Sequence, residues 1–363
     1  MNSKTETTDD YWVGLDIGGA NIKIADTSGR CQSLTFPMWT DFKTLPKTLS
    51  KLVRDFSLND SPQVVATMTG ELADCFASKK EGVAFICDAL AKATYDCLVY
   101  RIANDGDELV GTNQAKQSWQ SVAAANWHAL TSFVARSMSE RSCGILFDIG
   151  STTTDIIPFA DKRCVSKSGM DIDRIQAGEL VYTGIVRSPV CALIQEFDFE
   201  DKCYSIAQEL FATALDAYLV LGKIPESQTS RFTADGRPAT IVCAKQRLAR
   251  CLCADASEIS DALIARIAQR VADQQFELIA KHFHRVYENF QRDDNEPPTI
   301  VVSGQGSWLA RETANTIPNL NVTSLDEMFQ DKISEAAPAF AVAKLAQMFA
   351  HRSHISGAAD ARC

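Results

Sequence analysis

The sequence predicts an α/β protein built from two duplicated halves that face a cleft. Two observations carry this. Apolar strand-like runs alternate along the chain with longer segments of helical spacing. In addition, one short pattern occurs twice, as "VGLDIGGANIKI" at 13–24 and "LFDIGSTTTDIIP" at 146–158. Each copy is an apolar run, Asp-Ile-Gly, small polar residues and a second apolar run, and Asp16 and Asp148 stand 132 positions apart. A chain of 363 residues suits two domains at about 100–200 residues each. The expected division is a first lobe over 11–140 and a second over 143–335 with a helical insert, the helix 338–352 packing back on the first.

Residues 1–10 are polar and expected to fray. Val13 to Asp16 and Ile22 to Ala25 read as strands around "GGAN", and Cys31 to Phe36 as a third. Leu45, Leu49, Leu52, Val53 and Phe56 share one side of a helix from about 42 to 58. "QVVATMTG" is a strand ending in a loop, "EGVAFICDALAKAT" a helix and "CLVYRI" a strand. Residues 118–140 read as a long Ala-rich helix or a pair of helices. The second half restarts with "GILFDIG", the turn "STTTD" and "DIIPFA". A helical block is expected at 199–222, then the turn-rich "PESQTSRFTADGRPAT", a helix from near Ala244 and another at about 260–290. "PPTIVVSGQGSWLARETA" reads as strand, glycine turn and helix, and Pro338 suits the first turn of a last helix.

Composition narrows the class. With 46% hydrophobic and 23% charged residues the chain is an ordinary globular one. The net charge of −10 argues against nucleic-acid partners, since such a chain does not attract polyphosphate over long range. No 18-residue apolar run predicts a membrane span, and the opening has no basic patch followed by an apolar core. The 12 cysteines are scattered through apolar stretches without a CxxC, so they read as reduced thiols of a cytoplasmic protein and not as zinc ligands. Cys75 has no partner base in the sequence and reads as buried. Histidine offers little: His282 and His284 are two apart, and only His351 and His354 have the spacing of a facing pair on a helix.

The glycine turns point to anion binding. A carboxylate at a strand end followed by glycine stands beside exposed backbone N–H groups, and such turns form anion-binding concavities. A carboxylate next to a phosphate makes sense with a cation between them, which suggests Mg²⁺. The candidate phosphate-binding residues are Gly18, Gly19, Ala20, Asn21 and Lys23 in the first copy and Gly150, Ser151, Thr152 and Thr153 in the second. Asp16, Asp148 and Asp155 are the candidate metal ligands, with Asp148 also a candidate catalytic residue. A third glycine loop, Gly304-Gln305-Gly306, holds a nucleotide base or ribose or simply turns a corner.

Twin Asp-x-Gly turns in two halves resemble the acetokinase, sugar kinase, Hsp70 and actin fold. Within it, "DIGGANIK" and "DIGSTTTDIIP" resemble the hydantoinase A/5-oxoprolinase group. "TMTGELADCFASKKEGV" (67–83), "SVAAANWHA" (121–129), "GELVYTGIVRSPV" (178–190) and "TADGRPAT…RLARCLCAD" (233–255) resemble the members linked to tetrahydromethanopterin one-carbon transfer. The resemblance covers nearly the whole chain. It implies methanofuran-type cofactor assembly, in which an aminomethylfuran-methyl diphosphate is joined to the phenol of glutamyl-tyramine and diphosphate leaves. The implied partners are therefore a small-molecule diphosphate and a phenolic amine. A richer third glycine loop is expected in the family, so the sequence at 304–306 departs from it.

That reaction needs groups to stabilise departing diphosphate and a base for a phenol of pKa about 10. Glu71 or Asp74, just after the "TMTG" strand, is the candidate base, the alternative for Glu71 being a place at a helix N-terminus. Tyr182 and Arg187 are candidate substrate contacts, with a packed tyrosine as the alternative. Two competing functions use the same loops: an ATP-dependent hydantoinase- or oxoprolinase-like amidohydrolase or small-molecule kinase, and a nucleotide-gated binding module. One fold hosts many chemistries, so fold alone does not choose among them.

Overall fold

The two halves each begin with the hairpin that carries a glycine turn. The structure, a computed structural model, describes all residues except 1–10, 59–61, 95, 104–105, 167–168, 291–296, 330–331 and 361–363. The frayed opening expected at 1–10 and the His354 side chain lie outside what is described. In the first half, β1 (Trp12–Ile17) and β2 (Asn21–Asp26) flank the turn, and β3 (Cys31–Thr35) pairs antiparallel with β2. β1 is buried at every position, as a near-continuous apolar run in a central strand requires. The helices α1 (Met38–Asp41) and α2 (Leu45–Phe56) follow, α2 burying Leu45, Leu49, Leu52 and Val53. β4 (Gln63–Met68) then joins β1 in parallel. Beyond α3 (Lys79–Ala93), β5 (Leu98–Ala103) lies parallel to β4, and β6 (Gly106–Gly111) closes the edge.

After α4 (Thr112–Gln117), the expected helical segment is a pair, α5 (Trp119–Val122) and α6 (Asn126–Ser137). Ala124, at φ 51°, separates them in a left-handed conformation that a helix cannot continue through. The second half opens with β7 (Cys143–Ile149), β8 (Thr154–Ala160) and the short β9 (Arg163–Cys164), then α7 (Asp171–Ala177) and β10 (Leu180–Val181).

An insert follows with α8 (Val190–Leu193), β11 (Glu196–Phe199), β12 (Lys202–Ser205), α9 (Ala214–Val220) and α10 (Ile241–Arg250), packed on the long α11 (Asp261–Phe290). The helical block expected at 199–222 is corrected here: its first part is a hairpin. Glu200 and Asp201 take positive φ (48° and 59°), the conformation that suits a tight hairpin turn. β13 (Thr299–Ser303), α12 (Ser307–Ala314), β14 (Asn321–Ser324), α13 (Leu325–Phe329) and α14 (Ala337–Asp360) complete the chain.

The sheets run β3-β2-β1-β4-β5-β6 and β10-β8-β7-β13-β14. In each, one antiparallel hairpin is followed by two strands parallel to its first member. This is the duplicated ribonuclease H-like arrangement of the actin, Hsp70 and sugar-kinase fold. Between the sheets lies one apolar core in which Trp12, Tyr100, Leu146 and Phe159 meet Phe133 of α6 and Phe340 and Leu345 of α14. Gly14 permits this closeness, since a Cβ there would stand 1.9 Å from the Ala339 carbonyl oxygen. Among the described residues the cysteines are free thiols, and no helix is long and apolar enough to cross a membrane.

Candidate active-site cleft

The two glycine turns are built alike. The Gly18 N–H donates to the Asn21 carbonyl and the Gly150 N–H to the Thr153 carbonyl, each at 2.9 Å. Asp16 then pairs across its hairpin with Lys23, and Asp148 with Asp155, so Lys23 and Asp155 occupy equivalent positions. Both turns are held from behind through their carbonyls. Gly19 and Ala20 accept from Met38 and Phe36, Gly150 accepts from Ile185, and Ser151 accepts from Val186 and Arg187. Among the described residues, the N–H groups of Gly19, Ala20, Ser151 and Thr152 donate to no backbone carbonyl. Gly19, Ala20, Thr152 and Thr153 line a cleft of 460 Å³ between the halves. A Cβ added at Gly19 would meet nothing within 4 Å, so the backbone there stands open to an approaching group. Unpaired backbone donors on both walls make the cleft suited to an anion.

Asp16 and Asp148 lie at the strand ends behind the turns. One carboxylate oxygen of each, Oδ1, is buried without a hydrogen-bond partner among the described residues. Burial raises both pKa values, and the Lys23 ammonium opposes the rise in both. Lys23 Nζ is 3.9 Å from Asp16 Oδ2. Neither aspartate is among the residues that line the cleft, and a Cβ at Gly304 would come within 2.8 Å of Asp148 Oδ1, so these oxygens lie behind the turns. Orphaned buried carboxylate oxygens are of the kind that suit a cation. Asp155 does not join them as a third ligand. Its carboxylate is taken up by the buried Arg174, which also bonds Asp171 at 3.1 Å. Burial still pushes Asp155 up to about 6, with Arg174 pulling the other way. Among the described residues no group of three or more His, Cys, Asp or Glu side chains converges to hold a metal.

Glu71 lines the cleft beside the first turn, one residue after Gly70, where a Cβ would come within 3.0 Å of the Gly18 carbonyl oxygen. It sits in a short 3-10 helix, Gly70–Leu72, and its backbone packs on the start of α3, where a Cβ at Gly82 would come within 2.6 Å of the Glu71 Cα. Its side chain is buried and, among the described residues, neither carboxylate oxygen meets a hydrogen-bond partner in good geometry. Burial pushes its pKa up to about 7 against the pull of Lys79. Asp74 is exposed at the cleft mouth. Tyr182 is 65% exposed, so the packed reading fails, and it lines the cleft with Arg187.

The loop at 304–306 packs against the second turn. A Cβ at Gly304, which has φ +83°, would come within 2.3 Å of the Ile149 carbonyl oxygen, and one at Gly306 within 2.5 Å of the Ile149 side chain. Gly306 N–H donates to that same carbonyl. Gly304 and Gly306 are thus packed beneath the second turn, Gln305 is exposed, and none of the three is among the residues that line the cleft. Cys75 is half-buried, with its Sγ 3.5 Å from the Met38 carbonyl, and burial raises its pKa.

Sequence reasoning missed Trp39, Trp127, Asp171 and Arg174, all of which line the cleft. Three contacts cross it. Lys79 pairs with Asp171 at 2.9 Å, Arg174 stacks 4.0 Å from the Trp127 ring centroid, and Arg187 lies 5.0 Å from that of Trp39. Each joins residues over 45 positions apart, and nothing local in the sequence marks them.

Comparison with known proteins adds the chemistry. A family model described as hydantoinase/oxoprolinase matches residues 63–349. The chain is 36% identical over 339 residues to a (4-{4-[2-(gamma-L-glutamylamino)ethyl]phenoxymethyl}furan-2-yl)methanamine synthase of Methanocaldococcus jannaschii, covering 92% of this chain and 97% of that protein. A Methanococcus vannielii protein of the same name is 32% identical over 216 residues, covering 59% of this chain and 94% of that protein. Among solved structures, the activator of the 2-hydroxyisocaproyl-CoA dehydratase from Clostridium difficile with bound ADPNP aligns over 95% of this chain and 97% of its own, at 15% identity and a TM-score of 0.44.

Proposed function

The chain belongs to the hydantoinase/oxoprolinase family, and from that premise we propose that it is a transferase. It joins an aminomethylfuran-methyl diphosphate to the phenol of glutamyl-tyramine and releases diphosphate. The observation that carries this is the 36% identity with the Methanocaldococcus jannaschii synthase across 92% of the chain. The product in that protein's name contains the aryl ether such a reaction would form.

The cleft supports the reading. Carbon–oxygen cleavage leaves a resonance-stabilised furylmethyl cation, and negative charge grows on diphosphate in the transition state. The free N–H groups of both turns meet that charge, and preorganised donors do this without rearrangement. Lys23 adds positive charge beside Asp16. Asp16 and Asp148, with their orphaned oxygens, would hold Mg²⁺, which when bound supplies charge neutralisation for the leaving group. The phenol oxygen forms the new bond to the furylmethyl carbon and gives its proton to Glu71. A carboxylate with a pKa of about 7 is matched to that task near neutral pH. We prefer Glu71 to Asp74 because Glu71 is buried with both oxygens unbonded. A cytoplasmic setting suits the free cysteines.

The test is calorimetry of inorganic diphosphate and of ATP, with and without Mg²⁺, on the wild type and Asp148→Asn. Binding of diphosphate that needs both Mg²⁺ and Asp148, without ATP binding, is the expected result. Tight ATP binding favours the ATP-dependent alternatives, and a failure of both ligands to bind removes the phosphate-clamp reading.

A further inference from the structure

Outside the inner cleft lies a second chamber of 1060 Å³, between α1 and the insert loop around 229–234. The two spaces share Trp39, Asp74 and Arg187. Between them stands a stack in which the Arg187 guanidinium lies 5.0 Å from the Trp39 ring centroid and 5.6 Å from that of Phe232. Its members are fixed by the fold. Met38, next to Trp39, is bonded to the first glycine turn, and the Arg187 N–H to the second. The insert loop is fixed by Asp235, which accepts from Arg237 at 2.6 Å and from the buried Arg247 at 3.1 Å.

The chamber's charges are uncommitted. Arg231 donates to the carbonyls of Gln228 and Ser230, and among the described residues no carboxylate pairs with it or with Arg187. Asp74 has no cationic partner among them either. Two guanidinium groups and one carboxylate around a chamber with hydroxyl-bearing walls are complementary to a free amino-acid headgroup. A guanidinium matches a carboxylate with two parallel hydrogen bonds.

We propose that this outer chamber takes the γ-glutamyl headgroup of the phenolic substrate. Its α-carboxylate meets Arg231 and Arg187, its α-ammonium faces Asp74, and the phenol passes the Trp39 and Phe232 rings into the inner cleft. The proposal rests on the phenolic-amine reading above, and it makes Arg231 a specificity-determining residue.

The experiment compares the binding of γ-glutamyl-tyramine and of tyramine, by calorimetry with saturating Mg²⁺ and inorganic diphosphate, in the wild type, Arg231→Ala and Arg187→Ala. The expected result is that the wild type prefers the glutamylated ligand. Arg231→Ala weakens that ligand about ten- to a hundred-fold, as loss of a charge-assisted hydrogen bond does, and shifts tyramine less than about twofold by the same reasoning. Equal weakening of both ligands, or glutamyl-tyramine affinity untouched in both variants, overturns the chamber assignment and leaves the transferase reading standing. A wild type that binds neither phenol refutes the phenolic-amine reading, and the chamber assignment falls with it.

Discussion

Glu71 shows what burial does to a single side chain. Its carboxyl is buried with neither oxygen bonded, and its pKa rises from the usual 4.5 to about 7. The folded state therefore holds its proton more tightly than the unfolded chain. Stability is full below about pH 4.5, falls as pH rises, and levels off above 7, the loss being about 3 kcal/mol. Glu71→Gln is expected to remove that slope, so its Tm exceeds that of the wild type at pH 8 and converges with it near pH 4.5. As a base, ionised Glu71 makes kcat/KM fall as pH drops through 7. The same variant should lose about a hundred- to ten-thousand-fold in kcat, measured by release of diphosphate. Asp148→Asn is a separate case: its effect is read in Mg²⁺-dependent diphosphate affinity. The sequence located Glu71 near a strand end, but its state was illegible. Isolation of a carboxyl comes from which distant residues pack over it.

At the scale of elements, two glycines of one hairpin have opposite reasons to be glycine. Gly14 lies under α14, where a Cβ would come within 1.9 Å of a carbonyl oxygen. Gly14→Ala is expected to cost about 3 kcal/mol or more, read from urea unfolding. Gly19 has open space in front of it and no positive φ. Gly19→Ala should unfold within about 0.5 kcal/mol of the wild type, yet bind diphosphate more weakly by calorimetry, since the added methyl group stands where the anion approaches. The twin hairpins were legible because each couples an apolar run to Asp-Ile-Gly, a pattern both local and repeated. The hairpin β11–β12 was hidden because "FDFEDKCY" has only four-residue strands, too short for their period to stand out from a helix. The function of 304–306 was left open because one glycine pattern serves ligand approach and tight packing equally well.

In the whole molecule the two large sheets are held at two places, a continuous core behind and a few polar and aromatic contacts across the cleft. The contacts across the front are Lys79–Asp171, Arg174–Trp127 and the stack of Trp39 with Arg187. Two lobes joined behind and lightly fastened in front are arranged for hinge motion. The double variant Trp39→Ala, Lys79→Met is expected to open, with a larger radius of gyration by small-angle scattering, and bound Mg²⁺ and diphosphate should reverse the change. An unchanged radius would mean that the rear core alone sets the angle between the lobes. The duplication was legible at this scale, but the pairing of residues across the cleft was not, because each partner belongs to a different half. The rear core also has a consequence for how the protein is made. The inner face of the first sheet is covered by α14, more than 300 positions after β1. A nascent chain on the ribosome therefore carries the part of that face that α14 covers bare until α14 has been made, and it depends through that interval on whatever keeps sticky surfaces apart in the cell.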